Sequence, residues 1–442
     1  MKPLCIISCP IDTFSGYGAR SRDFVKALIK VKGEEWDIKI MPQRWGECPW
    51  NYLSKDDPLR KRFISRIERQ PDIWYQITVP NEFQPIGKFN IGVTAGIETN
   101  VFPANFLDGF NRMHLNLVSS EHSKRAALTS KFEKRDKNTN ELKGEVKCEK
   151  PVEVLFEGLD LENYYKKPNK SDILKNVDEE FCFLYTGHWL PGNMGEDRKN
   201  TGLLIKTFLE TFNGPGTKKP ALILKCNEVN YSILDKTRVL QRINKIRKQY
   251  GGKNAPNIYL LHGEMTTKEM NELNNHSKVK VFINLTKGEG FGRPLLEAAI
   301  TGKPIIATNW SGHIDFLKGD YNILIGGELK PVHETAANQF LLKESQWFSP
   351  DIHITKKAMK NVFKQYKFYL ERSRKQTQYI KNHWNLDKMA ERIEKYLPEI
   401  KPQPQTVSLN MPDPNKLPTL KKSKTKNNSG NPLPTLKKLQ KI

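Results

Sequence analysis

With 442 residues, of which 37% are apolar, the chain is long enough for two or three domains with complete hydrophobic cores. No run approaches the roughly 18 apolar residues a bilayer crossing needs, which argues against a membrane-spanning protein. A formal charge of +23 predicts an anionic partner: nucleic acid, a membrane surface or a phosphorylated substrate. Nine lysines against one aspartate put +8 of it in residues 401–442, so +15 remains on the body.

In chain order, "LCIISC" reads as a short apolar strand, too soon broken for a signal peptide. "GARSRDFVKALIKV" has helical spacing and "WDIKIM" is a second strand. "DIWYQITV", "FNIGVTA" and "LNLVSS" follow as strands, and "SEHSKRAALTSKF" as a capped helix. The hydrophilic residues 132–150 predict a surface excursion or hairpin, and "KKPNKSDILKNVDEE" a linker or interdomain helix. A second alternation opens at "FCFLYTGHWL" and runs through "TGLLIKTFLETF", "PALILKC", "KTRVLQRINKIRKQY", "NIYLLHG", "TTKEMNELNNHS" and "VKVFINL" to "PIIATN". Strands alternating with helices imply mostly parallel sheets, and two such halves imply a bilobal α/β protein with its ligand at the strand ends. "NLDKMAERIEKYL" gives a last helix. The Lys/Pro-rich residues 401–442, with "LPTLKK" twice, cannot bury enough apolar surface to order themselves and are expected to be disordered. That tail is a solvated basic segment or a docking motif for an anionic partner.

Six cysteines stand at 5, 9, 48, 148, 182 and 226 with no CxxC pair and no zinc-ligand spacing. Four lie in or beside apolar runs, as buried thiols do in a reducing compartment. A cytoplasmic protein, in solution or peripheral to a membrane, is expected.

The chemistry concentrates in "KGEGFGRPLLEAAITGKPIIATNW", residues 287–310. A buried strand ends in a loop tightened by Gly288, Gly290 and Gly292, and Pro294 then suits the first turn of a helix. Such a strand, glycine loop and helix presents free N–H groups and a positive helix end to an anion, best a diphosphate. Glu289 stands in that loop and Glu297 about one turn inside the helix. A carboxylate accepts two hydrogen bonds from a vicinal diol, so two of them flanking a diphosphate suggest a nucleotide-sugar. Singly, each glutamate reads as a solvated loop residue or a partner of the helix dipole; the whole string does not.

E-G-F-G-x-P-x-x-E followed by A-x-x-x-G-x-P-I-I-A closely resembles the E-x7-E signature of retaining glycosyltransferases of the glycosyl transferases group 1 (GT4) type. The resemblance implies a GT-B fold: two Rossmann-like domains with mostly parallel sheets facing a central cleft. The domains would be 1–170 on the acceptor side and 171–376 on the nucleotide-sugar donor side. Residues 377–400 would form a helix crossing back to the first domain, before the tail. By the same resemblance Glu289 meets the donor sugar, Glu297 the ribose, and the amides of Gly290, Phe291 and Gly292 the phosphates and sugar. "FSGYGARSRDFVKAL" is similar to the family's first glycine loop, with Gly16 and Gly18 at the diphosphate. In "YTGHWLPGNMGEDRKNTGLLIKTF" Lys199 matches the lysine on the leaving group. His188 replaces the expected arginine, which leaves Arg198 or Arg293 to supply the second charge. His262 and Gly263 resemble the nucleobase segment, and Glu98 stands where relatives place a residue near the reacting sugar. Glu98 is equally a helix cap, and Arg198 with Lys199 equally a solvated pair.

The implied reaction moves a sugar from a UDP- or GDP-sugar to an acceptor hydroxyl with retention, with no obligatory metal or cofactor; the chain has no Asp-x-Asp pair. Acceptors in reach are a glycan, a lipid-linked sugar or a protein. Competing readings are a glycosyltransferase acting on modified bases of nucleic acid, a GT-B epimerase, and a basic GT-B-like binding protein without turnover.

Overall fold

Buried strand followed by amphipathic helix recurs twice along the chain, and each series closes into its own six-stranded parallel sheet. The computed structural model describes residues 2–399 except 137, 216 and 217. The Lys/Pro-rich tail therefore lies outside the described residues.

The first lobe contains β1 (Leu4–Cys9), α1 (Gly16–Lys32), β2 (Asp37–Pro42), β3 (Ile73–Ile77), β4 (Phe89–Val93) and α2 (Ala104–Asn111). It continues with β5 (Leu115–Val118), α3 (Glu121–Thr129), β6 (Lys131–Arg135), β7 (Leu142–Lys147) and β8 (Val152–Val154). The sheet order is β2-β1-β3-β4-β5-β8, and β6 pairs with β7 as a separate antiparallel hairpin over the hydrophilic excursion. β1 is buried along its whole length because helices cover both faces of a parallel sheet. α1 starts where the Ser15 side chain accepts the Gly18 N–H, and α3 where Ser120 accepts that of Ser123.

The second lobe contains β9 (Cys182–His188), α4 (Thr201–Phe212), β10 (Ala221–Asn227), α5 (Ile233–Tyr250), β11 (Ile258–Leu261), α6 (Thr267–Asn275), β12 (Val279–Asn284), α7 (Arg293–Ala299), β13 (Ile305–Thr308) and β14 (Ile323–Ile325). Its order is β11-β10-β9-β12-β13-β14. The order reverses between β9 and β12, and a parallel sheet opens a ligand crevice at such a point. β15 (Gly327–Pro331) and β16 (Gln346–Pro350) form an antiparallel pair. α8 (Ile352–Lys364), α9 (Tyr366–His383) and α10 (Leu386–Lys395) end the described chain.

No α-helix forms over residues 166–180, only one 3₁₀ turn at Asp172–Leu174. Pro168 lacks an N–H, and the segment finds its partners in α6 instead. Lys167 N–H donates to Asn275 Oδ1 at 2.9 Å, and Asn169 Nδ2 to the Glu272 carbonyl at 2.9 Å. With its polar groups satisfied in an extended form, the segment is a linker and not a helix.

α10 packs on α1 of the first lobe. Met389, Ala390 and Ile393 are buried there, and Gly158 is required: a Cβ at that position would lie 2.8 Å from Met389 Cβ. Met389→Ala should therefore destabilise the protein by about 2–5 kcal/mol in urea unfolding, the cost of a core cavity. A loss below about 0.5 kcal/mol would mean that α10 is not part of the cooperative core.

Candidate active site

The two strands that flank the reversal of the second sheet deliver the central residues. β9 runs into a loop that ends in Arg198 and Lys199 before α4, and β12 runs into the glycine loop that carries Glu289. The loops are stitched together: the Lys287 N–H donates to the Arg198 carbonyl at 2.7 Å, and Asn200 Nδ2 to the Leu285 carbonyl at 2.8 Å. Asn200 holds a left-handed backbone (φ 54°) to turn the chain into α4, which asparagine tolerates.

Lys199 Nζ donates to Glu289 Oε1 at 2.5 Å, with both side chains less than a tenth exposed. Arg198 Nη1 lies 3.5 Å from Glu289 Oε2 and donates to the Gly288 carbonyl at 3.0 Å. Its Nη2 is 3.4 Å from Oε1 of Glu98, which reaches across from the first lobe. Burial pushes the Glu289 carboxyl up, but Lys199 and Arg198 outweigh it and bring it down to about 2. Burial lowers the Lys199 ammonium, with Glu289 opposing and Arg198 adding to the shift. Burial likewise lowers Arg198, but Glu98 and Glu289 prevail and raise it. The site thus sets two cations against two carboxylates, with Glu289 held ionised by the cations.

A second network ties the lobes together. Arg293 Nη1 lies 2.6 Å from Asp23 Oδ2 of α1 and 3.5 Å from Glu157 Oε2, while its Nε donates to Glu297 Oε1 at 2.9 Å. Arg20 Nη1 holds the other oxygen of Glu157 at 3.3 Å. Burial pushes the Asp23 and Glu297 carboxyls up against the pull of Arg293, and Arg293 itself is raised by its acidic neighbours despite burial. Arg293 is therefore engaged by three carboxylates, and the cation beside Lys199 is Arg198.

The glycine loop sits directly on the first lobe. Ser120 Oγ donates to the Gly290 carbonyl at 2.6 Å and Ser119 Oγ at 3.0 Å. A Cβ on Gly290 would fall 1.9 Å from the Ala95 carbonyl oxygen, so that approach admits only glycine. Farther along, the Tyr52 and Thr267 hydroxyls meet at 2.5 Å across the cleft. That cleft, about 640 Å³, is lined by Gly16, His188, Tyr231, Arg293 and Glu297 among others. Partial desolvation by the cleft walls and the charges of Lys199, Arg198 and Lys225 lower the His188 imidazole, although the residue stays exposed to solvent.

Other candidates fall apart from this centre. Gly18 lies inside α1, where a Cβ would strike the Thr13 carbonyl, whereas Gly16 opens onto the cleft. His262 Nε2 pairs with Asp235 Oδ2 at 2.8 Å, and Gly263 (φ 134°) gives its carbonyl to Lys225 Nζ at 2.7 Å. Phe291 is buried against Phe316 and Trp384. Two contributors carried no motif. Ser311, with a positive φ of 75°, accepts the Glu289 N–H at 3.0 Å, and Asp23 anchors Arg293. The strained serine has no signal in "NWSGH" short of the structure.

No family model matches the chain, and no curated protein matches it in sequence. Solved structures do share its architecture. A sucrose-phosphate synthase from Thermosynechococcus elongatus is similar with a TM-score of 0.57 and 12% identity, over 90% of this chain and 98% of that one. HepE from Anabaena in complex with UDP and glucose gives 0.57 and 12%, over 90% and 99%. A glycosyltransferase from Rickettsia africae gives 0.57 and 12%, over 89% and 97%. The fold is GT-B, with two parallel six-stranded sheets. At this identity the likeness defines the fold, and the chemistry rests on the residues.

Because Glu289 sits at about 2 in the folded protein against an ordinary 4.5, its contribution to stability is full above about pH 5 and lost as the pH falls toward 2. Urea unfolding between pH 2 and 7 should show that acid limb, flattened in Glu289→Gln. Arg293→Met should cost roughly 3–5 kcal/mol in the same assay, because it strands buried carboxylates. A loss under about 1 kcal/mol would remove Arg293 from any role in joining the lobes.

Proposed function

We propose that the chain is a retaining glycosyltransferase that moves a sugar from a nucleotide-diphosphate sugar, UDP- or GDP-linked, to an acceptor hydroxyl. The observation that carries the reading is the buried Lys199–Glu289–Arg198 cluster at the strand-order reversal of the second sheet. The solved relative described with UDP and glucose, of the same fold, supports a uridine donor.

Lys199 and Arg198 take the negative charge that builds on the diphosphate as its bond to the anomeric carbon breaks, an electrostatic service fixed in place before the reaction. An incoming diphosphate competes with the carboxylates that now neutralise the two cations. Glu98 is the one to yield, being 29% exposed where Glu289 is 8%. Glu289 then accepts hydrogen bonds from the donor sugar hydroxyls while staying ionised. The acceptor oxygen bonds to the anomeric carbon from the face the diphosphate leaves, and its proton passes to a phosphate oxygen of the departing nucleoside diphosphate. Glu98, freed from Arg198, is placed to contact donor or acceptor. No metal or other cofactor is required by this scheme.

In the cleft, Glu297 offers the ribose the oxygen that Arg293 does not hold, Gly16 lets backbone approach the phosphates, and the Gly290–Gly292 amides face the donor. His262 supports the nucleobase segment through Asp235, with Gly263 beside it, and Gly18 serves by letting α1 pack. Gly290, Phe291 and Gly292 fix the glycine loop between the lobes. Synthesis of a glycan or glycoconjugate follows as the biological setting.

A panel of nucleotide-sugars assayed for binding by calorimetry and for transfer or hydrolysis tests the proposal. Wild type should bind one donor, and Glu289→Ala should lower turnover by 10²-fold or more, as for loss of a preorganised contact. Full turnover by that variant would sink the role of Glu289, and failure of every donor to bind would sink the enzyme reading.

A further inference from the structure

The loop between β10 and α5 carries a surface that the proposed reaction does not use. Val229, Ile233 and Leu234 expose 63%, 83% and 72% of their surface. A rigid frame holds them outward. Asp235 accepts the N–H groups of Glu228 at 3.1 Å and Val229 at 2.9 Å, and His262 closes the turn from behind. Ser232 caps α5, so the two leading aliphatic side chains stand on the first turn of an ordered helix.

Helical spacing extends this tip into a basic face. Leu234, Arg238, Gln241, Lys245 and Lys248 follow one another at intervals of three and four, and Ile233, Lys236 and the 39%-exposed Leu240 form a second exposed row on the helix flank. α5 has six basic residues and a single acid, Asp235, which is buried. Arg238 and Arg242 pair with Glu228, whereas Lys236, Lys245 and Lys248 form no ion pair among the described residues.

We propose that this face docks on an anionic lipid bilayer. Val229, Ile233 and Leu234 enter the boundary between headgroups and acyl chains, and Lys236, Lys245 and Lys248 sit over the lipid phosphates. Charge complementarity and shape both favour this occupant: aliphatic side chains followed by lysines match an acyl layer beneath an anionic one. Nucleic acid would use the lysines but has no use for three aliphatic tips, and single strands are held by stacked aromatics. A second copy of the chain would need roughly 800 Å² per partner for a stable interface, more than three side chains supply. Tyr231, in the same loop, lines the cleft, so docking brings the cleft mouth to the membrane surface. On the glycosyltransferase reading, on which this last consequence alone rests, the acceptor is then lipid-linked.

Co-sedimentation of the full chain with vesicles tests the docking. Wild type should bind vesicles of phosphatidylcholine with phosphatidylglycerol, bind pure phosphatidylcholine far less, and come off at high salt. Ile233→Ser with Leu234→Ser, both exposed and neutral for the fold, should weaken binding roughly tenfold or more. Lys236→Glu, Lys245→Glu and Lys248→Glu combined should abolish the preference for anionic lipid. Wild-type binding by both variants would overturn the proposal by placing the contact elsewhere, for instance in the lysine tail. Absence of binding by wild type would overturn it as well. Duplex DNA held by wild type and lost only in the lysine variant would assign the face to nucleic acid. A dimer in analytical ultracentrifugation lost in the serine variant would assign it to a second copy. The vesicles hold no nucleotide-sugar, so this test and the donor panel fail independently.

Discussion

The ion pair between Lys199 and Glu289 is the constraint around which the second lobe is arranged. Taking two opposite charges out of water costs several kcal/mol for each, and the cost is met only when geometry is close and every remaining lone pair and proton finds a partner. That requirement fixes much else. β9 and β12 must be neighbours, which they are only because the sheet reverses its order between them. The two loops are locked by the backbone hydrogen bond from Lys287 to Arg198, and the Ser311 hydroxyl, from the loop after β13, accepts the Glu289 N–H. The strain of a left-handed Ser311 belongs to the same account, since a residue held at positive φ persists only where its surroundings over-determine it.

A charged cluster buried in this way is poor material for stability and good material for recognition. Lys199 and Arg198 are already desolvated and already aimed, so an anion that replaces their carboxylate partners need not reorganise them. Arg293 shows the opposite use of the same chemistry. Asp23 of α1, Glu157 just after β8 and Glu297 of α7 surround it, which makes it a strut between the lobes. The Ser119, Ser120 and Tyr52 contacts add hydrogen bonds along the same seam. Polar seams of this kind can open at modest cost, as a cleft that admits and releases a substrate must.

Most of the architecture was legible because parallel strands covered on both faces read as short apolar runs, as "LCIISC" and "PALILKC" do. The hairpin in 131–147 was legible from its polarity, and α6 from its place in the strand–helix alternation; the Thr266–Glu269 capping box is what starts it. Residues 166–180 are the linker rather than the helix that the sequence equally allowed, because side-chain partners in α6 hold them extended. Between residues 323 and 383, α8 does carry a local signal, the Asp351 cap, whereas α9 has no side-chain cap. Among site residues, Glu289, Lys199 and Arg198 were named together from one short string and one loop. The engagement of Arg293 by carboxylates of both lobes was not readable, because it depends on a partner more than a hundred residues away.

Local order alone therefore determined two alternating α/β halves, a glycine loop bearing an acidic residue, and a basic pair ahead of a helix. These follow from hydrophobic period, turn chemistry and capping, which act over a few residues. Which cation meets Glu289, which is spent on joining the lobes, and which way the α5 face points were decided only when the sheets closed. Charge partnership and burial are properties of distance through space, and at positions 23, 98, 157, 199, 289 and 293 the chain sets that distance only by folding.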